Sequence, residues 1–298
     1  MNLPELSRRR LLQAAGLGAG ALALHPWLPA WAQRVSAGLE TLSGEDITLQ
    51  LAPGRIGIDG KAANAVTING TVPGPLLRLR QGQKLRLTLE NALDEPSSLH
   101  WHGLLVPFQM DGVPGVSFPG IGPHSRFTYE FGIEQAGTYW YHAHSSLQEA
   151  QGVYGAIVID PREPDGIAAD REHVVLLSDW SDEDPHAIQR KLLIESDIYN
   201  RHRRTVGDLL RDAKRDGWPA TRADRAMWGR MRMSPTDLAD VGAPTYTYLA
   251  NGHAPDANWT ALFARGERVR LRFVNGSAMT YFDVRIPGLK MTVVAADG

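Results

Sequence analysis

Four of the ten histidines in this 298-residue chain lie in two short stretches, Leu99-His100-Trp101-His102-Gly103 and Tyr139-Trp140-Tyr141-His142-Ala143-His144. Each stretch holds a His-x-His pair among residues that favour strands, and side chains two apart on a strand point to the same face. Each pair therefore offers two imidazoles to one side. Strand rise separates their Cα atoms by about 6–7 Å, whereas a His–metal bond is only about 2 Å long. That spacing suits two neighbouring ions better than chelation of one, and it predicts a multinuclear metal site built from His100, His102, His142 and His144. A single His-x-His is commonly just a partly exposed strand; two such pairs, each beside a tryptophan, argue against that reading. Imidazole suits zinc, copper, iron and nickel alike, so the donors do not name the metal.

The elements that must position these pairs are short strands separated by turns. Ile47–Leu51, Lys84–Leu89 and Arg126–Phe131 alternate apolar and polar residues, and Gly155–Asp160 reads as a buried strand. Pro53-Gly54, Asp59-Gly60, Asn69-Gly70, Pro73-Gly74 and Pro119-Gly120 read as punctuation between strands. Residues 45–160 thus predict an all-β domain, a two-sheet Greek-key sandwich or barrel. A polar linker is expected at 161–172, and a second strand-rich unit at 173–298 that opens with His173–Trp180. An insertion over 181–240 interrupts it: the stretch is charged, and the helical spacing of Leu192, Leu193, Ile198, Val206, Leu209 and Leu210 predicts two or three helices. Strands are expected again at Thr245–Leu249, Arg268–Val274 and Met291–Ala295.

Charge and composition narrow the function. Lys and Arg number 31 against 33 Asp and Glu, a net charge of −2 that gives no support to nucleic-acid binding. The chain has no cysteine, which excludes disulfides and any thiolate-ligated metal within it. Residues 1–32 read as an export signal: Ser7-Arg8-Arg9-Arg10-Leu11-Leu12 is a twin-arginine pattern, followed by an apolar run to Leu24 and a small-residue cleavage site at Ala30-Trp31-Ala32. That run is too short for a membrane span, which needs about 20 apolar residues. The expected partner of this segment is the twin-arginine translocase, and the expected location is the bacterial periplasm.

His100-Trp101-His102-Gly103 and Trp140-Tyr141-His142-Ala143-His144 resemble the first two copper-binding motifs of the multicopper oxidases. The bacterial copper-resistance type is resembled most, through Asn69–Pro75, Pro107–Val116, Met231–Leu238 and Asn275–Phe282, so the likeness covers nearly the whole chain. It implies tandem cupredoxin-like domains, the second incomplete and carrying the helical insertion. It further implies that His100 binds a type 2 copper, that His102 and His142 share one type 3 copper, and that His144 binds its partner. The resemblance also implies an oxidase that couples one-electron oxidation of Cu(I) or a phenolic reductant to the reduction of dioxygen to water. Asp111 matches a carboxylate beside the cluster that assists proton delivery; an Asp before Gly is equally a turn former. Trp101 and Trp140 could relay electrons, but indoles beside ligands more often pack against them. Met227, Met231 and Met233 could bind Cu(I) or pack inward from a helix.

Four imidazoles are too few for two or three ions, which take three or four ligands each. His124, His173, His186, His202 and His253 are scattered singly. The chain also stops directly after an apolar run, and together these features predict the N-terminal fragment of a longer protein, with poor solubility when alone. In the resembled family the remaining ligands, and a Cys-containing type 1 copper site, come from a C-terminal domain. Two other classes stay open: a non-catalytic copper-binding module, and a mononuclear zinc hydrolase with a metal-bound water as nucleophile.

Overall fold

The alternating runs pair into two sheets packed face to face. The computed structural model describes residues 38–237 and 245–298, and the expected leader at 1–32 lies outside them. The first nine strands are β1 (Thr41–Leu42), β2 (Asp46–Ile58), β3 (Lys61–Ile68), β4 (Leu76–Arg80), β5 (Lys84–Asn91), β6 (His100–His102), β7 (Ser125–Gly132), β8 (Gly137–His142) and β9 (Tyr154–Asp160). They form a five-stranded sheet in the order β1-β4-β9-β8-β6 and a four-stranded sheet in the order β3-β2-β5-β7. Between the sheets lie Leu49, Leu51, Leu85, Leu87 and Leu89 from one side, and Leu77, Leu79, Tyr141, Ile157 and Ile159 from the other. Burial alternates along β2 and β5 because only one face of each meets this core.

β9 is buried on both faces, which explains its unbroken apolar run. Ile157 and Ile159 point into the sandwich, while Tyr154, Ala156 and Val158 pack against Leu176 and Val274 of the second unit. That unit has a three-stranded sheet in the order β11-β10-β12, from β10 (Arg171–Trp180), β11 (Thr247–Ala250) and β12 (Val269–Asn275). Charge joins the units too: Arg78 on β4 meets both Asp160 at 2.7 Å and Glu172 at 3.2 Å, and Arg272 on β12 meets Glu172 at 2.8 Å and Thr138 at 2.9 Å.

Three helices separate β10 from β11. α1 (Pro185–Ile194) starts at an Asp184 cap, α2 (Val206–Asp216) at a Thr205/Asp208 capping box, and α3 (Trp218–Met231) directly after Gly217. The regular structure of the described residues is therefore mostly strand, with their α-helices confined to this insertion.

The structure corrects four readings. Pro53-Gly54 is no turn, since β2 runs straight through it. β2 pairs with β5 up to Leu51 and with β3 from Leu51 onward; the Leu51 carbonyl faces β5, accepting from Ala92 N, so by alternation Pro53 turns its missing N–H to the side that β5 has left. Asp59-Gly60, by contrast, is a two-residue hairpin turn with φ of 52° and 68°. Ile198 lies past the end of α1. Residues 291–295 form no strand: among the described residues none pairs with them, and Val293 is 86% exposed. Finally, Met227, Met231 and Met233 are 43–57% exposed, so they do not pack inward.

One buried carboxylate organises the segment after β12. Asp179, 5% exposed, accepts from Ala278 N at 2.9 Å, Met279 N at 3.2 Å and Thr280 Oγ1 at 2.6 Å. Asp179→Ala leaves those donors without their acceptor and is expected to destabilise the chain by about 1–3 kcal/mol, measured by urea unfolding, with Asp179→Asn costing less.

Candidate metal centre

β6 and β8 pair antiparallel with His100 opposite His142, Trp101 opposite Tyr141, and His102 opposite Trp140. The period of two then divides the side chains. Trp101, Tyr139 and Tyr141 turn into the sandwich core, while His100, His102, Trp140 and His142 share the outer face. His144 follows just past the end of β8 and joins them. The structure thus brings together all four histidines that the sequence singles out.

Their rings form a tight group. His100 lies 5.7 Å from His102, 5.6 Å from His142 and 4.7 Å from His144 between ring centroids, and His142 lies 5.5 Å from His102 and 5.0 Å from His144. One nitrogen each from His100, His102 and His142 falls within 4.8 Å of the others. His102 Nδ1 and His142 Nε2 are 3.3 Å apart. Two donors bound tetrahedrally to one ion at about 2.0–2.1 Å would themselves be about 3.3 Å apart. The donor set therefore fits a borderline metal such as copper or zinc.

On His100 and His142 the Nδ1 atoms are occupied. His100 Nδ1 lies 2.8 Å from the Asp111 carbonyl oxygen and 3.4 Å from Asp111 Oδ1. His142 Nδ1 lies 2.6 Å from Glu149 Oε2. Acceptors at Nδ1 place the proton there and leave Nε2 with a lone pair toward the group. Burial, and then the neighbouring His142 and His100 rings, hold the imidazoles of His102 and His144 below the ordinary histidine value. Both therefore stay neutral, with a lone pair free, at neutral pH. Trp140 stacks on His142 at 4.0 Å and on His102 at 5.1 Å, and the Trp101 indole N–H donates to the Met110 carbonyl at 2.9 Å. Packing is thus a role that both tryptophans fill.

Asp111 is placed by its turn as well as by its charge. It caps a one-turn 3-10 helix, Phe108–Met110, and the next residue, Gly112, adopts φ 79° directly beneath the Leu99 carbonyl, where a Cβ would collide. Both readings of Asp111, turn former and carboxylate beside the histidines, describe the same residue. Glu149 is a contact that the sequence reading missed. Its only local signal is a carboxylate seven residues after His142 in a polar turn. Of the remaining described histidines, His124 pairs with Asp94 at 2.9 Å, His173 and His253 meet backbone carbonyls, and His186 Nε2 lies 3.5 Å from Ser146 Oγ.

A β-sandwich that gathers two His-x-His pairs on one face defines a metal-binding type of domain, and the comparisons supply its family. Residues 50–164 and 171–298 each match a family described as multicopper oxidase, and the chain belongs to that family. Membership implies copper of types 2 and 3. More particularly, the chain is 53% identical to the copper resistance protein A homolog of Pseudomonas syringae pv. tomato, over 99% of this chain and 51% of that protein. It is 54% identical to copper resistance protein A of Escherichia coli, over 99% of this chain and 49% of that protein. The chain spans about half the length of these curated relatives. Among solved structures, the L499M mutant of the laccase from B. aclada matches with a TM-score of 0.58 at 26% identity, over 80% of this chain and 39% of that one. The blue copper oxidase from Nitrosomonas europaea matches with a TM-score of 0.54 at 23% identity, over 80% and 62%, a likeness of fold alone. Among the described residues no helix is long and apolar enough to cross a membrane.

Proposed function

We propose that this chain forms the N-terminal part of a periplasmic multicopper oxidase that serves copper resistance, with His100, His102, His142 and His144 as its share of a trinuclear copper site. The observation that carries this reading is the 3.3 Å approach of His102 Nδ1 to His142 Nε2 across the β6–β8 pairing, in a cluster where Nδ1 of His100 and Nδ1 of His142 are held by acceptors. Copper bound here supplies the one-electron steps by which Cu(I) or a phenolic reductant reduces dioxygen to water. His102 and His142 converge as the donors of one type 3 ion. By the family likeness His144 would hold its partner ion and His100, paired across the strands with His142, the type 2 ion. Asp111 stands beside His100 and can hold a proton at Oδ1 for the water-forming steps. The twin-arginine pattern at Ser7–Leu12 supports export to the periplasm by the twin-arginine translocase, and the likeness to copper resistance proteins supports Cu(I) as a reductant.

Copper content by elemental analysis, paired with oxygen uptake on a phenolic substrate, tests this for the chain and for the product of its complete reading frame. The complete product should hold a trinuclear plus a mononuclear complement of copper and consume oxygen, while the chain alone should not turn over. Stable copper in both with no oxygen uptake in either would favour a non-catalytic copper-binding module, a reading that the lack of any cysteine in this chain keeps in view. Zinc-dependent hydrolysis without copper would favour the hydrolase.

A further inference from the structure

We infer that Glu149 is a positioning residue for the metal centre, fixing the tautomer and ring orientation of His142 through its Nδ1. The inference rests on the copper reading above for its consequence, but its geometry is independent of it. Glu149 Oε2 is 2.6 Å from His142 Nδ1, and the carboxylate is only partly exposed. An anionic acceptor at that distance holds the imidazole proton on Nδ1, so Nε2 presents a lone pair toward His102 Nδ1 at 3.3 Å. The flat stack of Trp140 on the same ring, 4.0 Å and 11°, blocks rotation out of this plane. Between them, Glu149 and Trp140 leave His142 one orientation.

A positioning residue must itself be held, and this one is. Its neighbour Gln148 is fully buried. Gln148 Oε1 accepts from Ser97 Oγ at 2.6 Å, and Gln148 Nε2 donates to Glu95 Oε1 at 2.8 Å and to the Pro96 carbonyl at 3.0 Å. The turn closes with Gln151 N and Val153 N donating to the Gln148 carbonyl and Gly152 N to that of Glu149. Residues 95–97 lead into β6, which carries His100 and His102. Beside them, Ser98 Oγ bonds Ser145 Oγ at 2.9 Å and accepts from His144 N at 3.1 Å. The turn that aims Glu149 is thereby pinned to the chain that delivers the facing histidines. His100 differs: its Nδ1 meets chiefly the neutral Asp111 carbonyl. The carboxylate-backed ring is the stronger donor of the two, because an anionic partner polarises the N–H and enriches Nε2.

The test uses Glu149→Ala and Glu149→Gln in the full chain, with histidine-selective 15N NMR on metal-free protein and Cu(II) titration against a competing chelator. Wild type should show His142 as a single Nδ1–H tautomer. Glu149→Ala should show a mixture of tautomers and bind Cu(II) about 10–100-fold more weakly. Glu149→Gln keeps an acceptor oxygen and should restore the tautomer and most of the affinity. If Glu149→Ala does not fold, Glu149→Leu, close in size and without an acceptor, provides the same readout. A purely structural role would lower the melting temperature while leaving the tautomer and the Cu(II) affinity as in wild type, and that result overturns the inference. Should the product of the complete reading frame bind no Cu(II) while the tautomer still follows Glu149, the copper reading fails and the positioning of His142 stands.

Discussion

His142→Ala should strip the centre of copper at the position shared with His102. His142 is the hub of the cluster, within 5.6 Å of each of the other three rings by centroid, and it is the most buried of the four at 6% exposure. Complete four-ligand metal sites are worth roughly 10–16 kcal/mol, so one ligand contributes on the order of 3 kcal/mol, or about 10²-fold in affinity. His102→Ala should cost a similar amount, because the two nitrogens converge on one place. The double substitution should cost little more than either single one, since donors of one ion are not independent. Copper titration of the three variants checks this, with His124→Ala as control, whose exposed ring pairs with Asp94. Additive losses would mean that His102 and His142 serve different ions. Unfolding of the metal-free variants should stay close to wild type, which separates loss of a ligand from loss of the fold.

The four histidines are legible in the sequence because both of their signals are local: residue type and a spacing of two. The two motifs also predict that all four share one site, but not the register that sets His100 against His142 across some forty residues. The same distinction separates the fold readings. Alternation in Lys84–Leu89 needs only one buried face to be recognised, and β5 forms there. Pro53-Gly54 carries the local chemistry of a turn, yet the strand continues because its partner changes at Leu51, a matter of topology. Met291–Ala295 has strand-like residues, but a strand also needs a neighbour to pair with. Glu149 escaped notice for a related reason: its aim is set by Gln148 reaching Ser97 from 51 positions away. Local chemistry reveals donors, whereas the acceptors behind them depend on how distant segments meet.

That dependence gives the second large effect, at Trp101. Its side chain is 1% exposed and sits edge-on to Tyr129 at 5.0 Å, with Phe131 at 5.6 Å and Tyr141 at 6.4 Å. Trp101→Ala opens a cavity beneath the histidine face and should cost about 3–5 kcal/mol. At about 2–4 °C per kcal/mol for a chain of this size, that lowers the melting temperature by roughly 6–20 °C. Trp101→Phe is the more informative substitution. It retains most of the packing but removes the N–H that bonds the Met110 carbonyl, leaving a polar group unpaired for about 1–3 kcal/mol. Met110 precedes Asp111, whose carbonyl holds His100 Nδ1. Loosening that turn should therefore weaken copper at His100 while sparing the His102–His142 pair, whose acceptor, Glu149, lies on a separate turn. Partial copper loss confined to the type 2 signal in electron paramagnetic resonance is the expected result. Uniform loss of all copper would instead assign Trp101 to general support of the β6–β8 pairing.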